Sequence, residues 1–452
     1  MIPRRQSHGP KRAGFPLGTS IFLWVLVLAL TASGAWVFFG QTDLFTWSDQ
    51  ADRVQYSFVL AGGIGAVAAL VVSYRKQRLA EASAVLDLES HFGGRFLAAT
   101  EQLGSGTPTV RMAGALSLAR LADDWVTQRQ MVIDVVTAYL RMSANELEGP
   151  ELEIRASLFR TIRDHLRPAA SPHWQGLNFD FTSADMTGAD FTEIETRAGT
   201  TLNFTEAVFS RGFVRLSGNF TGETMAFTRA QFCGAIVEIS GSIDAELLDF
   251  DGTDLSGGAL RMDGLTFTGN RISFLGMSIR KGFLSFSGST FETQNIDFAG
   301  IVILDEGSLL FDHCDVQSGD LSFISARLAG SNTYFAGTKF SGTTLFFNGT
   351  QFSADRVSFH DVDFGGAVVN FSGATFYGPS VDFHKAKIHP ESLELAAAAC
   401  IEGVVDWGQL ETMRDAFAVF PDKGKLHAEQ NEDREMVMKQ VLAEFAKQRQ
   451  EE

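Results

Sequence analysis

A 12-residue repeat runs through the chain from residue 177 and restricts its possible folds more than any other feature. Each unit contains an apolar residue, a variable residue and usually a Phe, and a second apolar residue follows five positions after that Phe. Upstream units show one 13-residue step and a few 11-residue steps, and 16 units are recognisable in all. Such regularity is typical of a solenoid, in which each unit packs only on its neighbours. In the clearest stretch the pairs are Phe335/Phe340, Phe347/Phe352, Phe359/Phe364, Phe371/Phe376 and Phe383/Ile388.

The spacing within each unit predicts short strands separated by bends. Residues two apart in an extended segment point to the same side, so the apolar residue and the Phe face inward together. Gly, Ser, Thr, Asn and Asp occupy the corners. One unit is too short to enclose two Phe side chains, whereas two units, about 24 residues, can close a four-sided coil. The array therefore predicts about eight coils in residues 177–388. The predicted inward ladder contains Phe181, Met186, Phe191, Phe204, Phe209, Phe227, Phe232, Phe250, Phe274, Phe286, Phe291, Phe298, Phe311, Phe323, Phe335, Phe340, Phe347, Phe352, Phe359, Phe364, Phe371, Phe376 and Phe383.

Composition agrees with a stacked apolar core. The chain has 40 Phe but 5 Tyr, as expected where a buried hydroxyl would need a hydrogen-bond partner. Burial of one Phe contributes roughly 1.5–3 kcal/mol, so the array should be stable without metals or disulfides. Cys233, Cys314 and Cys400 are more than 80 residues apart, form no metal or disulfide pattern, and are expected to be small packing residues.

Two uncharged stretches precede the array. Residues 17–39 reach roughly 34 Å as a helix, more than the ~30 Å hydrocarbon core of a bilayer. Residues 57–74 contain Gly62, Gly65 and Ala66, small residues that would allow close packing against the first stretch. The pattern predicts a two-helix transmembrane hairpin joined by an external loop at 40–56. A buried core helix is the alternative for either stretch.

The flanking charges predict the topology of this hairpin. The loop contains three acidic residues and one basic residue, whereas bases flank both stretches on their outer sides. Because positive flanks stay in the cytoplasm, a multi-pass cell-membrane protein with a cytoplasmic N-terminus and a large cytoplasmic C-terminal part is expected. A cleavable signal peptide ending near residues 33–35 is the alternative for the first stretch. The topology-setting bases are Arg4, Arg5, Lys11 and Arg12 in the tail at 1–16, and Arg75, Lys76 and Arg78 after the second stretch.

Residues 75–176 predict a helical neck between the hairpin and the array. Apolar residues recur at helical spacing in 110–125 and in 132–140. In 151–167 they recur every four residues, with arginines around the other side, which predicts a core-facing helix able to cover the first coil. Contact of these arginines with anionic lipid is the alternative. After His389-Pro390, residues 389–452 predict a C-terminal cap and a charged helix.

Four segments resemble the bacterial membrane-anchored pentapeptide-repeat family. ADMTGADF at 184–191 resembles its A(D/N)LXX repeat, and VNFSGATF at 369–376 resembles a Phe-rich variant with wider spacing. In the neck, 95–104 fits RF..A.EQLG and 110–118 fits VR..G...L. The resemblance implies an all-β right-handed quadrilateral β-helix, but no single activity. Some soluble members of the family resemble DNA in shape and charge and bind type II topoisomerases.

No catalytic motif accompanies the repeat. His313, His360 and His384 lie in the array, and Asp361 and Asp363 form an Asp-x-Asp, which invites comparison with a hydrolase or metal site. These residues fall at outward or corner positions of different coils. A phosphate loop, an HExxH and a nucleophile elbow are all missing from the sequence. The sequence therefore predicts no enzyme, no catalytic residue, no cofactor and no metal.

The net charge of the chain reduces the number of functions that fit the sequence. The net charge is −17, and residues 177–388 carry 13 basic and 25 acidic residues, which argues against direct nucleic-acid binding. A membrane-tethered scaffold for an unknown protein partner is the favoured interpretation. A DNA-mimicking topoisomerase modulator is the first alternative, although six bases interrupt the acids, and an enzyme with a site between neck and rod is the second. The interrupting bases are Arg271, Arg280, Lys281, Arg327, Lys339 and Lys385.

The inward register yields a folding prediction. Phe347→Asp should unravel neighbouring coils because it places a carboxylate in the core. Asn348→Asp, at the next and outward position, should be nearly silent. Equal thermal stability of the two variants would contradict the register.

Overall fold

The computed structural model describes residues 50–142, 149–317, 319–388, 392–394 and 398–406, and a few positions between 26 and 37. The chain divides into two compact units, Met1–Gly94 and Arg95–Glu452. Several predicted segments lie outside the described residues: the basic tail at 1–16, most of the first predicted span, the loop up to residue 49, and the C-terminal helix beyond 406.

Four α-helices precede the strands: α1 (Gln50–Leu103), α2 (Pro108–Asp124), α3 (Arg129–Arg141) and α4 (Gly149–Leu166), with a 3-10 turn at Val126–Gln128. The second predicted span, 57–74, lies inside α1, which begins within the predicted loop and continues into the predicted neck. Residues 50–56 and 75–92 contain no Gly or Pro, so nothing interrupts the helix at those borders. Among the residues whose side chains are described, no helix combines the length and apolar character needed to cross a bilayer.

Within Arg95–Glu452 the neck helices pack closely. Gly114 of α2 lies against the end of α1, where a Cβ would come within 2.5 Å of the backbone nitrogen of Leu103. A polar triad joins the other helices, because Glu151 accepts hydrogen bonds from the Tyr139 hydroxyl at 2.9 Å and from Arg111 at 3.1 Å. The triad therefore connects α2, α3 and α4 through one carboxylate.

The described residues after the neck form 28 strands in one parallel sheet. They are β1 (Asn178–Asp180), β2 (Asp190–Thr196), β3 (Thr201–Asn203), β4 (Val208–Phe209), β5 (Phe213–Ala226), β6 (Gln231–Phe232), β7 (Ile236–Asp249), β8 (Asp254–Leu255), β9 (Ala259–Arg261), β10 (Thr266–Phe267), β11 (Arg271–Ser273), β12 (Ser278–Ile279), β13 (Phe283–Ser285), β14 (Thr290–Phe291), β15 (Asn295–Asp297), β16 (Val302–Ile303), β17 (Ser308–Leu310), β18 (Asp315–Val316), β19 (Gly319–Ser322), β20 (Arg327–Leu328), β21 (Asn332–Tyr334), β22 (Lys339–Phe346), β23 (Gln351–Phe352), β24 (Arg356–Ser358), β25 (Asp363–Asn370), β26 (Thr375–Asp382), β27 (Leu393–Glu394) and β28 (Ala399–Asp406).

These strands wind into a parallel β-solenoid of about nine turns. In its regular middle each strand pairs with the fourth strand after it, as β10 with β14 and β11 with β15. Thr266 pairs with Thr290, a step of 24 residues, so two repeat units close one four-sided coil as predicted. The ladder also continues past residue 388, where the sequence predicts a cap, because β28 pairs with β26 through Phe376 and Cys400. Cys400 stands in register with Phe376, so the Phe of the repeat is missing there and the repeat is hard to see in the sequence.

The core contains a continuous column of nine stacked aromatic rings, and shorter stacks such as Phe335, Phe359 and Phe383 lie beside it. Ring centroids of successive members lie 4.5–5.3 Å apart, with interplanar angles of at most 15°. This separation follows the ~4.8 Å distance between paired strands, so flat rings fill each layer completely. The column consists of Phe181, Phe204, Phe227, Phe250, Phe274, Phe298, Phe323, Phe347 and Phe371.

Helix α4 covers the first coil. Phe159 extends the aromatic core, with its ring 5.9 Å from the rings of Phe181 and Phe191. Arg163 forms an ion pair with Asp190, and Arg167 pairs with Glu193 at 3.2 Å. The apolar stripe of this helix is buried, and its flanking arginines contact the acids of the first coil.

Arg155 of the same helix departs from the sequence-based picture, which places it on the outer side. It is 1% exposed and donates to the backbone oxygens of Leu140, Met142 and Asp185. Burial lowers the pKa of its guanidinium. Three backbone carbonyls left free by the end of α3 and the first coil create this site, and a periodicity argument cannot detect them.

Candidate interaction surface

The predicted ladder lies entirely inside the solenoid, where each of its 23 members is at most 4% exposed. Side chains between the ladder positions point outward. Since residues at equivalent positions of successive coils pair in register, each outward position forms a column along the rod, with members about 4.8 Å apart. Any function of the rod surface therefore depends on what these columns contain.

Charge alternates along two of the outward columns. One contains Asp315, Lys339, Asp363 and Lys387 on four successive coils, and Lys387 lies 3.7 Å from Asp363. The other places Glu238 between Arg215 and Arg261. Opposite charges on paired strands attract, whereas like charges would repel. On these two columns the acids form no continuous stripe of the kind that imitates a DNA backbone.

Two of the three histidines of the array lie on different coils, as expected, but the structure brings them together as neighbours. His360 and His384 occupy the same corner of adjacent coils, with ring centroids 5.5 Å apart, and Nδ1 of His360 lies 3.4 Å from Asp382. The 24-residue interval between them was the available sequence signal. His313 lies on another coil, where its Nδ1 is 2.9 Å from the carbonyl oxygen of Ala336.

The Asp-x-Asp does not form a convergent site either. Asp361 occupies a left-handed corner position with φ of 55°, whereas Asp363 points outward toward Lys387. No cluster of three or more His, Cys, Asp or Glu side chains suited to a metal occurs among the described residues. A small cleft of about 10 Å³ beside the first coils is lined by Thr196, Phe220, Met225 and neighbours without a titratable side chain.

The cysteines differ in environment. Cys314 is 1% exposed, donates to the carbonyl oxygen of Phe286, and has a pKa raised by burial. It replaces the Ser or Thr found at the equivalent position of adjacent coils, Ser289 and Thr338, which donate in the same way. Cys233 is exposed, so the expectation of a packing role is wrong for it. The side chain of Cys400 lies outside the described set.

The topology-setting bases fall in two groups. Arg75, Lys76 and Arg78 are exposed on α1, and the guanidinium of Arg78 lies 5.9 Å from the centre of the Tyr74 ring. Arg4, Arg5, Lys11 and Arg12 lie outside the described residues.

No family model, curated protein or solved structure matches the chain. The geometry of the rod and the charges on its surface are therefore the basis for any functional conclusion.

Proposed function

We propose that the chain is a membrane-tethered, non-enzymatic scaffold that presents a rigid β-helical rod to protein partners on the cytoplasmic face of the membrane. The observation that carries this proposal is the set of outward columns held in register by a filled core. Because the aromatic column leaves no space for coils to shift, the charged side chains keep a fixed spacing. A fixed array of alternating charge suits recognition of a complementary protein surface.

The tether rests on α1 and on the sequence before it. Within 57–74, Val59, Val67 and Leu70 are each 64–69% exposed, and basic residues follow directly. Exposed apolar side chains on a helix favour an apolar environment such as lipid. Together with the uncharged residues 17–39, these features support a two-pass anchor. The four-sided coil likewise supports membership of the pentapeptide-repeat family, which implies a right-handed winding.

In-cell crosslinking of the full-length chain, followed by affinity capture and mass spectrometry, tests the scaffold. Phe347→Asp serves as the broken-rod variant, because Phe347 is fully buried between the rings of Phe323 and Phe371. Partners that bind the rod should be lost in this variant and retained in Val368→Asp, which alters an exposed side chain. A partner list unchanged by Phe347→Asp would contradict the scaffold proposal and direct attention to the helices.

The net charge of −12 over residues 177–388 favours one alternative, a DNA-mimicking modulator of a type II topoisomerase. The outward columns in which acidic and basic residues alternate argue against this alternative, because DNA presents an unbroken row of negative charge. The full-length chain added to a gyrase supercoiling assay should leave the reaction unchanged. Inhibition that weakens when Asp315 and Asp363 are replaced by Asn would favour the alternative over the scaffold.

A further inference from the structure

His360 and His384 bring two imidazole rings together on the surface of adjacent coils. Ser358 pairs with Asp382 in parallel register, and each histidine follows two residues after its member of this pair. The ring centroids are 5.5 Å apart, with an interplanar angle of 20°. His384 is exposed and the side chain of His360 is 39% exposed, so both rings can be reached from solvent.

The carboxylate of Asp382 contacts both histidines. Its Oδ1 accepts a hydrogen bond from the backbone amide of His384 at 2.7 Å, and its Oδ2 lies 3.4 Å from Nδ1 of His360. A histidine that binds a metal usually donates its other ring N–H to a carboxylate or carbonyl, which fixes the tautomer and the ring orientation. With Nδ1 of His360 facing Asp382, Nε2 is the nitrogen available to a metal.

Two imidazole nitrogens favour one class of ion. Imidazole suits Zn²⁺, Cu²⁺ and Ni²⁺, whereas Mg²⁺ and Ca²⁺ prefer oxygen ligands. An ion bound to both rings needs the two nitrogens within about 4.2 Å of each other, twice the usual Zn–N distance. The ring centroids are farther apart than this, so the ring of the exposed His384 must tilt toward His360 when the ion binds.

The charges next to the pair leave Asp382 as the carboxylate that faces the site. Asp361 and Lys385 occupy the left-handed corner positions that follow the two histidines, with φ of 55° and 61°. Their charges are opposite, so together they neither attract nor repel a cation strongly.

An ion held by both rings would join two layers of the solenoid. The amide of Phe359 donates to the carbonyl oxygen of Asp382 at 2.7 Å, and the amide of Asp361 donates to that of His384 at 2.9 Å. The ion would therefore add a link beside these backbone bonds. The link lies in the region where the column of nine stacked rings ends, at Phe371.

We propose that His360 and His384 bind one divalent transition-metal ion, such as Zn²⁺, and that this ion joins the two coils near the C-terminal end of the described rod. Water completes the coordination, because a closed structural zinc site has four protein ligands and this one has two. Such a site should load and release the ion reversibly as the metal supply changes. The inference goes beyond the proposed scaffold and depends neither on it nor on the membrane anchor.

Cu²⁺ is the spectroscopic probe for this site, because nitrogen ligands bind it more strongly than Zn²⁺. Electron paramagnetic resonance of the full-length chain with one equivalent of Cu²⁺ should show two imidazole nitrogens on the ion. His360→Gln and His384→Gln should each reduce this signature to one nitrogen. His313→Gln should leave it unchanged, because His313 lies on another coil.

Asp382→Asn tests the positioning role of the carboxylate. Calorimetric titration with Zn²⁺ should show an affinity roughly 10–100-fold lower, the usual cost of losing a carboxylate that orients a ligand. Both nitrogens should remain in the Cu²⁺ signature, since Asn keeps an oxygen that can accept the amide of His384. Asp320→Asn, at an exposed position on another coil, should bind Zn²⁺ like the unaltered chain.

Hydrogen exchange tests whether the ion joins the coils. Zn²⁺ at about 100 times its dissociation constant should slow exchange of the Phe359 and Asp361 amides about 100-fold, because separating the coils requires release of the ion. The Phe311 and His313 amides make the equivalent bonds between two earlier coils. They should exchange at an unchanged rate, since local opening there leaves the ion in place.

Three results would overturn the proposal. One imidazole per Cu²⁺ in the unaltered chain, or two that persist in His360→Gln, would assign the metal to other histidines. Two imidazoles without slower exchange at Phe359 and Asp361 would refute the link between the coils. Equal slowing at the Phe311 and His313 amides would show that the ion acts elsewhere on the chain.

Discussion

At the scale of single residues, the solenoid depends on strict alternation between inward and outward side chains. Val369 of β25 is fully buried, whereas Val368 immediately before it is 47% exposed. Asn348 is less suited as an outward control than the sequence suggests, because it is half-buried and its amide donates to Asn370 at 3.0 Å. Val368 and Val369 give a better comparison of an outward with an inward position, since the same substitution, Val→Asp, can be made at both.

Val369→Asp should lower the free energy of unfolding by about 4 kcal/mol, because it buries an unpaired carboxylate. Val368→Asp should change it by less than about 0.5 kcal/mol. Chemical denaturation of both variants measures the difference. Equal denaturation midpoints would contradict the register.

A second residue-scale prediction concerns Asp251, a carboxylate at a corner of the coil. Burial raises its pKa above the ordinary Asp value, although it accepts hydrogen bonds from the Ser273 hydroxyl and from the Leu275 amide at 3.0 Å. A raised pKa means that the folded protein binds the proton more tightly than the unfolded chain does. The contribution to stability is therefore complete below the ordinary Asp pKa of about 3.9 and is lost as the pH rises through the folded value.

Asp251→Asn removes the loss of stability at higher pH, because an amide does not ionise. Its oxygen can still accept the hydrogen bonds from Ser273 and Leu275. The variant should have a higher melting temperature than the unaltered chain at neutral pH, and the gain should shrink toward pH 4. Thermal denaturation across this range measures it, with Asp244→Asn as the control because Asp244 is exposed. A gain independent of pH would refute the assignment to the buried carboxylate.

At the scale of elements, the sequence predicts which helices and strands exist better than it predicts the residues at which they begin and end. Apolar periodicity predicts the helix at α4 and the inward strands, because packing decides both and leaves a period in the sequence. It misses the start of α1, where no helix breaker marks the boundary. It also misses β27 and β28, where Cys400 and not Phe stands in register with Phe376. The buried site of Arg155 is missed as well, because it depends on carbonyl groups from separate elements. The pairing of His360 with His384 was available from the period alone.

The triad of Arg111, Tyr139 and Glu151 provides a test of how the neck helices are joined. Burial, followed by the hydrogen bond to Glu151, raises the pKa of Tyr139 to about 12. Tyr139→Phe should lower the free energy of unfolding by about 1 kcal/mol, because Glu151 loses a donor while its pair with Arg111 at 3.1 Å persists.

Spectrophotometric titration of tyrosine checks the same contact independently. The most basic phenol of the unaltered chain should disappear from the titration curve of Tyr139→Phe. A curve that keeps this phenol would show that Tyr139 is not the perturbed group.

At the scale of the whole rod, each coil contacts only the coils before and after it, so the first coil depends on α4. Phe159 is fully buried against Phe181 and Phe191, whereas the next residue, Arg160, has a side chain that is 53% exposed. Removing the cover would expose strand edges that can pair with another molecule.

Phe159→Asp should therefore release α4, increase amide hydrogen exchange in β1–β4 before the later coils, and cause self-association detectable by light scattering. Arg160→Asp should do neither. Uniform loss of protection along the array in Phe159→Asp would indicate global unfolding and contradict a local covering role.

The nearest-neighbour connectivity of the coils also determines how the rod responds to mechanical load. Tension applied along the chain acts on one coil at a time, because only the hydrogen bonds and ring contacts of the terminal layer resist it. Each layer of 24 residues would release about 80 Å of chain when it detaches. A single molecule stretched in an optical trap should then lengthen in steps of that size, so that the rod yields gradually and limits the force passed to whatever is attached to it.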